Sequence, residues 1–150
     1  YKNVKLYSKL MTKMNNKNKI FIDKLRSSGL RPTNQRVDIS RFLFNRKKTF
    51  HFTVEELKNS MNLKRSKKIS TATFYNTVHA LKSAGYLKEF SLENNTSYYD
   101  TNITSHHHFF DNGKVIDIKS DKITFNKLPE APKGKKIKNV EVVIRLENNN

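Results

Sequence analysis

Up to Gly85 the apolar residues of this 150-residue chain recur every three or four positions, and beyond it every second. A chain with that single switch folds into several short helices followed by short strands. In IFIDKLRSSG, Ile20, Phe21 and Leu25 predict a short amphipathic helix stopped by Gly29. Pro32 then fixes a turn, and Thr33 is placed to cap a second helix with the apolar stripe Val37, Ile39, Phe42 and Leu43. Thr53-Val54-Glu55-Glu56 has the T-x-x-E form of a capping box, ahead of Leu57 and Met61 on the same face as Val54. Ser70 is placed to cap a fourth helix, TATFYNTVHALKSAG, which Gly85 closes at C′. LKEFSLENNTSYYD alternates on both sides of Glu93-Asn94-Asn95, the pattern of a β-hairpin with a tight turn.

A helical wheel gives the fourth helix a core face of Phe74, Val78 and Leu81, opposite Ala72, Tyr75, Asn76, His79, Lys82 and Ser83. The outward set offers donors, a ring and a cation but no acid. That suits a helix lying in a DNA major groove, where a carboxylate would meet phosphates. An ordinary polar surface would read the same way, so charge has to decide. Lysine outnumbers arginine 23 to 7, a bias that an A/T-rich genome alone produces, but such a bias would be spread evenly. Residues 1–48 instead carry 14 basic against 2 acidic side chains, residues 49–90 carry 7 against 3, and residues 91–150 carry 9 against 8. The positive field therefore covers the helices and the hairpin, which together make a winged helix-turn-helix. A basic arm over residues 1–17 and a DNA-binding winged-helix domain over residues 18–100 are the expectation.

The last third reads differently. HHHFF and KVIDI are strand candidates separated by the turn DNG. LPEAP is a proline-punctuated connection, and KIKNVEVVIRL predicts a strand with Val140, Val142, Ile144 and Leu146 on one side. Three short strands bury little by themselves, so residues 101–150 are expected to form a small α/β dimerisation and ligand-sensing domain in a homodimer. Such a dimer suits two DNA half-sites. The fold class is α+β. In a strand His106 and His108 share one face and His107 takes the other. Two imidazoles so spaced can converge on a metal ion, or one can be an axial haem ligand.

Taken together, GLRPTNQR, HFTVEEL, ISTATFYNTVHALKSAGYL and YYDTNITSHHHFF resemble the ferric uptake regulator superfamily over residues 18–146. Within it, HHHFF followed by GKVIDI, LPEAPKG and VEVVIRL is similar to the haem-responsive iron response regulator branch. The resemblance implies a dimeric transcription factor that binds operator DNA when haem is low and is released or inactivated by ferric haem. The alternative is a repressor of the same superfamily activated by ferrous, manganous or zinc ions. It also implies a ligand set of His51, Asp100, His106, His108 and Asp117, and His107, which replaces an acid often found in that motif, is counted with them as a metal- or haem-binding candidate. The set would join the DNA-binding part to the dimerisation part, so that a ligand there alters operator affinity. By the same resemblance Tyr75 reads the major groove with Thr71, Thr73 and Asn76 beside it, and Arg31 enters the minor groove of an A/T-rich operator. Lys64, Arg65, Lys67 and Lys68 would position the phosphate backbone, and His79 would contact a phosphate or base.

Composition closes off several classes. With no cysteine there is no disulfide, no thiolate nucleophile and no cysteine-ligated zinc; the CxxC pair usual after the superfamily's histidine strand gives way to Phe109-Phe110-Asp111-Asn112. A Cys-Pro haem motif is missing as well, so haem sensing would fall to histidines. No apolar run reaches the ~20 residues of a membrane span. The basic start lacks the hydrophobic region of a secretory signal, with Met11 and Met14 as candidate initiators, and a cytoplasmic location is expected. A histidine metalloenzyme would want an arrangement such as H-E-x-x-H, which the chain lacks, so it is not read as an enzyme.

Overall fold

The computed structural model of the protein describes residues 16–92 and 95–149. Most of the expected basic arm, and Glu93 and Asn94 of the predicted hairpin turn, lie outside those residues. The described chain forms two compact units, residues 16–91 with 95–103 and residue 92 with 104–149.

In the first unit α1 covers residues 16–27, α2 Asn34–Phe44, α3 Val54–Asn62 and α4 Thr71–Ser83. The predicted caps are made. Thr33 and Ser70 accept hydrogen bonds from Arg36 N and Thr73 N. Thr53 and Glu56 form the reciprocal box, with Glu56 N donating to Thr53 Oγ1 at 3.2 Å and Thr53 N to Glu56 Oε2 at 2.8 Å. Thr53→Ala removes one half of this exchange, and a loss of about 1 kcal/mol, read from the urea midpoint, is the expected result. Gly85, at φ 81°, closes α4 in a Schellman motif with Gly85 N donating to Lys82 O and Tyr86 N to Leu81 O, each at 2.9 Å.

The helical stripes meet in a core of Ile39, Leu43, Phe52, Leu57, Phe74, Val78 and Leu81. Ile20 departs from the predicted stripe of α1: Phe21 and Leu25 are buried while Ile20 is 59 % exposed, because a single helix face buries i and i+4 and turns i−1 outward. The wing has a strand that alternation did not announce. β1 (His51–Phe52) joins β2 (Lys88–Ser91) and β3 (Ser97–Asp100) in the order β1-β3-β2, all antiparallel. Phe52 stacks on Tyr99 with ring centroids 5.7 Å apart, which ties the added strand to the core.

The second unit is a three-stranded sheet, β4 (His106–Asp111), β5 (Lys114–Lys119) and β6 (Val143–Arg145), in the order β5-β4-β6. Its helical part is one 3-10 turn, Ser120–Lys122. Asn112 and Gly113, at φ 44° and 87°, make the two-residue turn between β4 and β5 that DNG predicts. β6 runs parallel to β4 and is much shorter than KIKNVEVVIRL led one to expect. As an edge strand it pairs on one side alone. Ile144 and Leu146 stay 37 % and 44 % exposed, so the predicted apolar side is not a buried one within a single chain. Phe109, Ile116 and Ile144 lie in register across the three strands and form an apolar row.

Candidate metal centre

In the first unit the antiparallel register places His51 directly opposite Asp100, the last residue of the wing. Their side chains meet, His51 Nε2 to Asp100 Oδ2 at 3.2 Å, with the carboxylate fully buried. The other oxygen, Oδ1, accepts from Asn102 N at 2.7 Å, which orients the carboxylate toward the imidazole. A buried carboxylate held in this way is fit to accept a cation or a proton from a neighbouring ring.

In the second unit strand alternation does the sorting. His106 and His108 lie on one face of β4, and the register with β5 sets Asp117 opposite His108 on that face. His106 Nε2 and His108 Nε2 are 2.9 Å apart, and Asp117 Oδ1 is 3.4 Å and 3.9 Å from them. Three atoms at those separations share a point about 2.0 Å from each, the bond length of zinc to imidazole nitrogen or carboxylate oxygen. His106 Nδ1 lies 2.8 Å from the carbonyl of Thr104. A carbonyl oxygen can only accept, so Nδ1 carries the proton and the Nε2 lone pair is aimed at His108. That is the outer contact that fixes a ligating imidazole. Thr104 is therefore part of the site, through a backbone atom that no sequence signal reveals.

His107 is set apart from this cluster. Its Nδ1 accepts from Val142 N at 3.2 Å, and its ring stands edge-on to Phe125, on the face away from His106 and His108. The pleat keeps His107 out of the cluster formed by its neighbours, since one residue along a strand reverses the direction of the side chain.

The residues expected to meet DNA fall into two groups. Arg31, Lys64, Lys67, Thr71 and Asn76 are exposed, and Tyr75 is 40 % exposed with its ring beside His79. Others are engaged in the fold. Arg65 is half-buried, its Nη1 3.1 Å from Asp38 Oδ2 of α2 and its Nε donating to Lys67 O at 3.3 Å. Lys68 Nζ donates to Asn62 O, and Thr73 Oγ1 sits 2.8 Å from the capping Ser70 Oγ. Asp38, the partner of Arg65, lies 27 residues away, and nothing local in the sequence reveals it. Among the titratable groups, Glu89 is held below the ordinary carboxylate range, chiefly by hydrogen bonds from Lys82 and then Ser97. Burial, with Glu89 beside it, pushes the Tyr99 phenol up to about 12.

A winged helix-turn-helix unit followed by a sheet that carries a His–His–Asp cluster defines a two-unit winged-helix protein with a candidate metal centre. The chain belongs to the ferric uptake regulator family, whose description matches residues 27–145. It is 34% identical over 98 residues to the peroxide-responsive repressor PerR of Staphylococcus epidermidis, a match covering 64% of this chain and 63% of that protein. It is 33% identical over 103 residues to the ferric uptake regulation protein of Synechococcus elongatus, covering 66% and 69%. The ferric uptake regulator of Pseudomonas aeruginosa, solved with manganese, superposes with a TM-score of 0.62 at 17% identity, covering 87% of this chain and 99% of that one. At that identity the likeness establishes the α+β fold.

Proposed function

We propose that the protein is a sequence-specific DNA-binding transcriptional regulator whose operator affinity is set by a divalent ion held by His106, His108 and Asp117. The observation that carries the reading is the triangle of Nε2, Nε2 and Oδ1 atoms around a point at metal-bond distance. Family membership supports the regulatory role, and the relatives named above include a repressor. By the resemblance, His51 and Asp100 of the winged unit are candidate ligands as well. Two imidazoles and carboxylates suit zinc, manganese and ferrous ions. When bound, such an ion supplies a fixed charge and a cross-link between β4 and β5. The chain's own contribution is to orient His106 through Thr104 and to keep the donors buried. The apolar row of Phe109, Ile116 and Ile144 is the surface on which a second copy closes. The exposed face of α4 reads the major groove and Arg31 the minor groove.

The haem-responsive reading makes a different demand on the same residues. An axial haem ligand must present one nitrogen to the flat iron face, whereas His106 and His108 are 3% and 1% exposed and aim at each other. The geometry favours the small ion. The test is to incubate chelator-stripped protein with a random duplex pool, with Mn²⁺, Zn²⁺, ferric haem or no addition, and to sequence the retained DNA. Enrichment of an A/T-rich inverted repeat with the ions alone is the expected outcome. Enrichment without any addition, abolished by haem, would replace this reading with the haem-released regulator, and no enrichment under any condition would remove both. Arg31→Ala is expected to weaken operator binding and flatten the A/T preference, as fluorescence anisotropy on paired A/T- and G/C-flanked duplexes will read.

A further inference from the structure

The outward face of α4 contains no acid of its own, yet the fold brings one to it. Glu89 of β2 places Oε2 2.8 Å from Lys82 Nζ, and Lys82 shares the outward stripe of α4 with Tyr75 and His79. A carboxylate beside a surface meant for phosphates is a liability unless it has a role. Its other oxygen, Oε1, accepts from the Tyr99 hydroxyl at 3.3 Å, and the register of β2 and β3 sets Glu89 directly opposite Tyr99.

Tyr99 is 2% exposed and adjoins Asp100 in β3. Its ring stacks on Phe52, which follows His51 in β1, and lies 6.4 Å from the His79 ring on α4. Both members of the His51–Asp100 pair are thus one residue away from two stacked rings, and one of those rings reaches the DNA-facing helix by two routes. The routes are the ring of His79 and the hydroxyl–carboxylate–ammonium chain to Lys82. All of these residues belong to the winged unit.

We infer that Glu89 is a positioning residue that restrains Lys82 from the DNA backbone and, through Tyr99, couples the ligand-bearing end of β3 to the recognition helix. The inference rests on the metal-responsive reading given above and adds a route within the DNA-binding unit. A mere surface ion pair between Lys82 and Glu89 would contribute little and couple to nothing.

The test uses the full chain and fluorescence anisotropy over a salt series. On a random duplex, Glu89→Gln is expected to release Lys82 to a phosphate, so binding tightens several-fold at low salt and the salt slope steepens by about 0.9 for each subunit bound. Adding Lys82→Gln to Glu89→Gln returns the slope to the wild-type value. On the enriched duplex, with Zn²⁺ and then with chelator, Tyr99→Phe keeps the ring packing and removes only the hydroxyl. It is expected to leave the slope unchanged and to reduce the metal-dependent affinity ratio by about fivefold or more, the size of a typical coupling. An unchanged slope in Glu89→Gln, or an unchanged ratio in Tyr99→Phe beside a responsive wild type, overturns the inference alone. A wild-type ratio of one overturns the metal-responsive reading itself, and the coupling with it.

Discussion

A chain carrying His106→Ala and His108→Ala is expected to lose Zn²⁺ affinity by about a hundredfold or more, measured by competition with a chromophoric chelator. The two substitutions remove both imidazoles that β4 contributes and leave Asp117 as the remaining member of the three-atom cluster. Even loss of an outer-shell contact costs 10–100-fold in comparable sites, so loss of the ligands themselves must cost at least the upper part of that range. His107→Ala is the matched control. It removes an imidazole from the same run but on the opposite face, and should change the affinity by no more than a few-fold. Because an imidazole must be deprotonated to ligate, affinity in the wild type should weaken steadily on acidification, with protons released on binding. Equal losses in the control and in the double variant would mean that the strand is being unfolded rather than the site dismantled.

Phe74→Ala should have the largest effect on the winged unit. Phe74 is fully buried, on the inward face of α4, and packs in the cluster with Leu57, Val78, Leu81 and Tyr99. Removing a buried phenyl ring costs about 3–5 kcal/mol in transfer and cavity terms. Against a total stability of roughly 5–15 kcal/mol, that brings the unit close to unfolding. The measurement is urea denaturation followed by far-UV circular dichroism, and a shift below about 1 kcal/mol would mean that Phe74 is not the packed residue described.

The helices were legible because their signals are local. Thr53 and Glu56 are three residues apart, Gly85 sits where α4 must stop, and the inward Phe74, Val78 and Leu81 repeat at helical spacing. β1 was not legible, since two residues cannot establish alternation and its position depends on pairing with Tyr99 and Asp100 more than forty residues away. β6 was over-read for a related reason: alternating valines predict a strand, but only a partner decides how much of it pairs. In the site, the pleat alone separates His106 and His108 from His107. The choice between a small ion and haem turns on ångström distances that no spacing encodes. The same holds for Arg65 and Glu89, whose partners Asp38 and Tyr99 are brought to them by the fold.

Among the described residues the sheet of the second unit ends in two edge strands, β5 and β6, and they are defended unequally. β5 is six residues long, and its edge away from β4 carries Lys114 at one end and Lys119 at the other, both exposed, with Asp117 between them. A foreign strand docking there would have to bury those charges, a recognised way for a sheet to resist stacking into fibrils. β6 at the other edge carries the exposed Ile144 but offers only three residues of backbone, too few to template much pairing. Length guards one border and charge the other, so each edge resists pairing with a foreign strand by a different means.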